Sequence, residues 1–426
     1  MREGLVKNYD VIVVGGGPAG ASAAVHLATC GASVLLLERE KFPRAKLCGE
    51  FISPECLAHF ARLGVLEAMS GAGGARVGET LFFAQSGRRV GVPSAWFGRE
   101  TRGAGDTATA AGALGLSRAE MDERLLQRAR AVGVEVLEEA QVAGLLFADE
   151  ARRAVGGVRV EWHGAELNLR AAVTIDATGR ARALARRVEQ NAKANGGGAG
   201  EAHASKAGGV GSGASKRMPL VAFKAHLENV GGADDACEIY FYRGGYGGVS
   251  CVENELSNLC FIVAAGDVRA RASDAERVMR EIVMSNRRAA ETLRGARVRS
   301  EWLAVALESF GRREVAPAEG LLMVGDAASF IDPFTGSGML MALESGELAG
   351  EAVTRALPRL RAGGDFAPLA ADYRARYQAR FSARLRVCSW LRRVAFAPQF
   401  ATEAAIAALG ASARMRRVVA RATRHA

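Results

Sequence analysis

Gly15, Gly17 and Gly20 stand in the spacing G-x-G-x-x-G, with Pro18 and Ala19 between the second and third glycines. At such a spacing the first glycine makes a sharp exit from a strand. The second lets backbone approach a pyrophosphate, and the third lets the following helix lie close to the sheet. About 20 residues further on, Glu38 ends the apolar run 33–37, where a carboxylate accepts hydrogen bonds from a ribose diol and repels a 2′-phosphate. The glycine spacing alone is a weak signal. Here it is joined by a β-branched run at 11–14 before it, a helix after it and an acid closing the next strand, and together these predict a dinucleotide site.

A second unit of the same kind lies some 300 residues later. The apolar run 321–324 ends in Gly325-Asp326, and Asp332-Pro333 and Gly336-Ser337-Gly338 follow, opening a helix that starts near Met339. A helix N-terminus favours negative charge. Ser117-Arg118-Ala119-Glu120 has the form of a capping box, in which the Ser hydroxyl and the Glu carboxylate satisfy free amides at a helix start. Arg39 and Cys48 fall in the polar loop 39–50. A free cysteine is most often a small buried hydrophobe. Tyr246 sits among four glycines at 243–248, a segment read as a turn.

The elements that must position these residues follow from periodicity and punctuation. Helices are predicted at 18–30 with Gly31 as a left-handed cap, at 54–63, and from Ser117 to near Gly133 with Met121, Leu125, Leu126 and Ala129 on one stripe. Strands are predicted at 134–137, 155–160 and 167–175, the last leading into Asp176-Ala177-Thr178-Gly179-Arg180. Further strands at 220–227, 238–242, 259–263 and 302–305 would make a second sheet, accompanied by a helical segment at 275–293. Helices at 339–355, 369–394 and 401–421 complete the reading. Residues 191–215 are almost all Gly, Ala, Ser and Lys, a composition that cannot offset its ordering entropy, so disorder is expected there. Phe82, Phe83, Trp96 and Phe97 are read first as core, with pocket lining as the alternative.

At 426 residues the chain exceeds one ordinary core and suggests interleaved lobes. A nucleotide-binding domain is expected over 1–80, 110–190 and 310–356. A sheet domain for substrate is expected over 81–109 and 217–309, and a helical Arg-rich segment over 357–426. Seven scattered cysteines, with no C-x-x-C pair and no Cys/His cluster, predict a reduced cytoplasmic protein without a metal site. The apolar run after Met1-Arg2 reads as the first strand, not a signal peptide, and no stretch is long and apolar enough to span a bilayer. The formal charge of +10 is concentrated at one end, where residues 374–426 hold twelve arginines against Glu403 alone. Such a segment suits anionic lipid head groups at the inner membrane face, an acidic partner, or a plain solvated helix face. Nucleic acid is not expected, because aromatic residues are not interleaved with the arginines.

Taken together, the Gly15/Gly17/Gly20 unit with Glu38, the 176–180 segment and the Gly325-Asp326 to Gly338 segment resemble the flavoprotein superfamily of class A aromatic hydroxylases, flavin-dependent halogenases and geranylgeranyl reductases. The resemblance runs from about residue 7 to 355, omitting the Gly-rich insertion. It implies an α/β fold with a Rossmann-like FAD-binding domain, a mixed-sheet substrate domain and a helical C-terminal segment. It further implies Gly15, Gly17 and Gly20 under the FAD pyrophosphate and Glu38 on the adenosine ribose. Arg118 would reach the cofactor, Asp326 would meet the ribityl chain, and the amides of Gly336, Ser337 and Gly338 would lie beneath the flavin ring. Cys48 would lie near the flavin or the substrate channel, and Tyr246 would face the ring or donate a proton.

Within that superfamily, Ser329 stands where the hydroxylases usually have His, and no Trp-x-Trp-x-Ile-Pro run of the halogenases occurs. Pro43-Arg44-x-Lys46-x-Cys48-Gly49-Glu50 and Asp332-Pro333-Phe334-Thr335-Gly336-Ser337-Gly338 look most like the geranylgeranyl reductase branch, although Ser337 replaces its more usual Glu. The resemblance therefore implies an FAD-dependent reductase of carbon–carbon double bonds in a lipophilic, isoprenoid-like substrate. Its alternatives are a monooxygenase of aromatic or polyketide compounds and a non-catalytic electron-transfer flavoprotein. No second glycine unit for a nicotinamide is visible, so NAD(P)H would visit transiently or a ferredoxin-like donor would replace it.

Overall fold

The computed structural model describes residues 8–97, 112–148, 154–194, 219–232, 234–307 and 310–424. The strand Asn8–Val14 lies between Val34–Leu37 and the end of Ala165–Asp176, parallel to both. Val11, Ile12 and Val13 are fully buried, which is why this segment is an unbroken apolar run and not an alternating one. Glu135–Leu137 extends the sheet beyond Val34–Leu37, and Leu321–Met323 joins it parallel to Ala165–Asp176. Val155–Trp162 and Ala140–Phe147 complete it as antiparallel strands. The last of these was not legible in the sequence.

The helices Pro18–Thr29 and Gly338–Arg361, each launched from a glycine loop, pack along one another. Their seam is made of small residues: a Cβ on Gly346 would stand 2.2 Å from the Ala19 carbonyl oxygen. Ser22 also donates to the Leu343 carbonyl at 2.9 Å. The two loops, distant in sequence, are thereby held side by side over one sheet.

A second sheet runs in the order Arg297–Val298, Leu220–Glu228, Ser257–Ala264, Gly245–Cys251, Ala236–Tyr242, Glu79–Phe83, Arg89–Pro93, with Leu303–Leu307 also paired to Leu220–Glu228. The pairing is antiparallel except between Ala236–Tyr242 and Glu79–Phe83. One face holds a core of Phe223, Tyr240, Leu259 and Phe261 beneath Val278 and Val283.

Several expectations are corrected. Residues 243–248 are not one turn: Gly245–Cys251 is a strand, and its glycines are packing residues, since a Cβ on Gly245 would lie 1.9 Å from the Ile262 carbonyl oxygen. The helical segment at 275–293 is broken into Ala275–Glu281, a 3-10 turn and Arg287–Thr292, because buried Asn286 caps the last piece and donates to the carbonyls of Phe83 and Phe241. The helix expected at 401–421 is two, Gln399–Ala411 and Ala413–Ala422, separated at Ser412, whose hydroxyl caps the second through Met415 N at 3.2 Å. Helix Ala183–Ala194 extends into the segment expected to be disordered, and residues 195–215 lie outside the described residues. The capping box is half formed. Ser117 Oγ accepts from Glu120 N, but the Ser117 N–H donates to Glu253 at 2.9 Å, while Glu120 pairs with Arg124.

Candidate active site

A cavity of about 790 Å³ lies between the two sheets. The second sheet lines it largely with apolar groups, among them Phe82, Ile239, Val249, Ile262 and Leu307, joined by Phe51 of the short strand Phe51–Ile52 and Phe334 of the 3-10 turn Pro333–Thr335. The loops of the first sheet contribute a polar wall: Gly15, Gly17, Pro18, Ala19, Glu38, Arg39, Arg44, Lys46, Arg118, Arg180, Gly325, Asp326, Gly336, Gly338 and Met339.

The first glycine loop forms a cradle. Gly15 has φ of 110°, and a Cβ there would meet the Ala177 carbonyl oxygen at 2.4 Å. On Gly20 it would meet the Gly15 oxygen at 1.9 Å, so this residue keeps the helix against the loop and does not face the cavity. Gly17 is different. The nearest atoms to a Cβ would be Arg118 Nη2 at 3.7 Å and Arg44 Nη2 at 3.9 Å, leaving open space flanked by two guanidinium groups. Buried Asp122 orients both: it accepts from Arg118 Nε at 2.8 Å and Nη2 at 2.6 Å, and from Arg44 Nη1 at 2.9 Å. Burial lowers the Arg118 pKa, but Asp122 outweighs it and the net shift is upward. Lys46 loses proton affinity through burial and through the charges of Arg44 and Arg118. Cations gathered at such a cost suit an anionic occupant.

At the rim Glu38 Oε2 accepts from Gly16 N at 2.8 Å and Oε1 from Glu40 N at 3.0 Å, which fixes its carboxylate. Arg39, at the exposed edge of that wall, pairs with Glu40. Asp326, on the 3-10 turn Gly325–Ala327, lines the cavity and accepts no hydrogen bond among the described residues. Burial pushes its carboxyl up, opposed by Arg180, Arg118 and Lys46. The 24-residue helix Gly338–Arg361 begins at the cavity wall, and no atom lies within 4 Å of a Cβ on Gly338, so there is room above its first amides. Ser337 is turned away: its buried hydroxyl is shared between the carbonyls of Thr335 and Thr423, 3.3 Å from each.

Cys48 and Tyr246 both reach the cavity. Cys48 Sγ accepts from Glu50 N at 3.4 Å. Tyr246, buried in its strand, donates to Asp332, whose other oxygen lies 2.9 Å from Arg392 Nε. Burial, then the Asp332 charge, holds the phenol pKa well above its ordinary value.

Sequence reasoning assigned no role to a buried ion cluster behind Cys48. Glu50 has a left-handed backbone (φ 54°) and is fully buried. Its Oε1 accepts from Arg118 N at 2.8 Å and from Lys224 Nζ, and its Oε2 lies 2.7 Å from His226 Nε2. Asn258 donates to the Cys48 carbonyl at 3.1 Å. The first-sheet loop is thus tied to the second sheet at the cavity. Lys224 could have been singled out as the one formal charge in the apolar run 220–227, whereas Arg424, also lining the cavity, carried no signal.

A match to the FAD binding domain family spans residues 8–347, and the chain belongs to that family. It is an FAD-dependent oxidoreductase. Digeranylgeranylglycerophospholipid reductase 1 of Methanococcoides burtonii is 27% identical over 370 residues, covering 82% of this chain and 75% of the relative. A flavin-dependent halogenase of Armillaria mellea is 32% identical over 187 residues, 43% of this chain and 34% of its own. The structure of a geranylgeranyl bacteriochlorophyll reductase-like protein from Thermoplasma acidophilum superposes with a TM-score of 0.74 at 18% identity, covering 99% and 97% of the two chains, which shows the shared fold.

Proposed function

We propose that the chain reduces carbon–carbon double bonds of a lipophilic, isoprenoid-like substrate. The observation that carries this reading is one continuous cavity with a cationic, glycine-lined wall and a facing apolar wall. The reductase that is similar over 82% of this chain supports it.

Gly15 and Gly17 would bring backbone against the FAD pyrophosphate, with Arg44, Lys46 and Arg118 neutralising it. Glu38 would accept from the adenosine ribose, and Asp326, which accepts no hydrogen bond among the described residues, would accept from the ribityl hydroxyls. The amides opening the Gly338 helix would favour negative charge at the ring. When bound and reduced, FAD supplies the hydride that one alkene carbon takes up.

The other carbon needs a proton. Cys48 is the better placed donor, because its sulfur accepts from Glu50 N and from the Arg118 side chain, and no acceptor for its S–H is found among the described residues. Tyr246 has already given its hydroxyl proton to a hydrogen bond with Asp332, and it serves as a wall of the apolar half. The apolar lining keeps water from competing as the proton source. The test is anaerobic: protein carrying reduced FAD is mixed with polyprenyl lipids, and flavin reoxidation is followed together with product mass. Stoichiometric gain of two hydrogens per double bond is expected. Reduced flavin that stays reduced with these lipids, while a parallel reaction in air incorporates an oxygen atom into the product, would overturn the reading.

A further inference from the structure

We propose that the C-terminal helices form a docking face for an anionic lipid bilayer. The large exposed hydrophobic side chains among the described residues are Trp390, Phe400, Met415 and Val418, 58%, 77%, 40% and 61% exposed. All four belong to Ala367–Ala395, Gln399–Ala411 and Ala413–Ala422. Elsewhere the described surface hides its large apolar groups.

The charge on these helices is sorted. Arg374, Arg376, Arg380 and Arg384 are tied to Glu314, Glu351 and Glu344. Arg386, Arg393 and Arg414 are exposed and make no ion pair or hydrogen bond among the described residues. At helical spacing, Arg386 and Arg393 lie one turn to either side of Trp390, and Arg414 lies one turn from Val418. The unpaired cations are therefore those beside the exposed apolar side chains. Glu403, the single acid of residues 374–426, is held by Ser86, which donates to it from both N and Oγ.

Exposed apolar side chains with an arginine one turn away, as at Trp390 and Val418, suit the interface of a negatively charged bilayer, where the ring or methyl groups sink and the guanidinium groups stay among phosphates. No helix among the described residues is long and apolar enough to cross a membrane, so the contact is peripheral. The face is also linked to the cavity. Two residues past the helix end at Ala422, buried Arg424 stacks on Phe97 at 4.6 Å and lines the cavity wall. The inference rests on this surface and not on the reductase reading.

The test uses the full chain with bound flavin and sedimented vesicles of phosphatidylcholine, with or without one quarter phosphatidylglycerol. Binding to the phosphatidylglycerol vesicles alone, weakened by salt, is expected. Phe400→Glu with Val418→Glu should lower the partition coefficient on the order of tenfold or more. Arg386→Glu with Arg393→Glu should do the same, while flavin absorbance and melting temperature stay unchanged in both. Equal sedimentation with and without the anionic lipid, or none with either, overturns the proposal. So does a dimer in solution that these substitutions split without any vesicle binding, which would assign the face to a second copy.

Discussion

Arg424 Nη1 donates to the Gly336 carbonyl oxygen at 3.1 Å, and its Nη2 donates to that of Thr335 at 3.0 Å. The last described helix is thereby fastened to the glycine turn that precedes the Gly338 helix. Burial depresses the guanidinium pKa, opposed mainly by Glu55. Arg424→Ala leaves both carbonyls without this donor, at about 1–3 kcal/mol for each that stays dry. A lower melting temperature and faster flavin loss are expected, with Arg424→Lys recovering part of each. Thermal melts and flavin release by fluorescence would check this.

Gly17 and Gly20 separate binding from folding. At Gly17 no protein atom blocks a side chain, so Gly17→Val should fold yet retain no FAD, because the side chain takes the space of the pyrophosphate. At Gly20 the Gly15 carbonyl is in the way, so Gly20→Val should fail to fold. Glu38→Ala should weaken retention without abolishing it. Circular dichroism beside the flavin spectrum distinguishes these outcomes.

Cys48 and Tyr246 should behave unlike each other. Removing a general acid costs roughly 10²–10⁴ in rate, so Cys48→Ala should lose that much turnover with flavin content unchanged. Tyr246→Phe keeps the ring packed on Phe334 and removes only a hydroxyl already bound to Asp332, so a loss of less than about tenfold is expected. Single-turnover flavin oxidation with substrate reads both.

Glu50 predicts a pH dependence of stability. Burial raises its pKa, but His226 and Lys224 outweigh this and hold it below the ordinary 4.5. As pH falls, the unfolded carboxyl takes up its proton first. The stabilisation is therefore complete above about 4.5 and is lost as pH drops through the depressed folded value. Glu50→Gln should flatten that loss. At neutral pH it should cost about 3–5 kcal/mol, since Lys224 is left buried without its counter-charge. Urea unfolding from neutrality down through the carboxylate range would measure both effects.

Local pattern made the nucleotide-binding half legible. The Val11–Val14 run, the glycine spacing, Glu38 and the helix Pro54–Leu63 are where periodicity and punctuation put them. Less legible was whatever depends on contacts between segments distant in sequence. Glycines at 245–248 signal a turn in one dimension, but the tight contacts of Gly245 and Gly247 with Ser257–Ala264, and of Gly248 with Ala236–Tyr242, exist only once the sheet has formed. Asn286 reads as a helical residue until the carbonyls of Phe83 and Phe241 are beside it. Arg118 was singled out through the family resemblance, whereas Arg44, Lys46 and Arg180 needed the fold to bring them to the same space.

The Arg118–Ala131 helix begins on borrowed acceptors: Glu253, from the second sheet's side of the molecule, takes the Ser117 amide, and Glu50 takes the amide of Arg118. Neither layer alone holds the instructions for starting that helix. Heat should therefore melt both sheets in a single event, and a proteolytic fragment containing only the nucleotide-binding layer should come away with its own helix frayed.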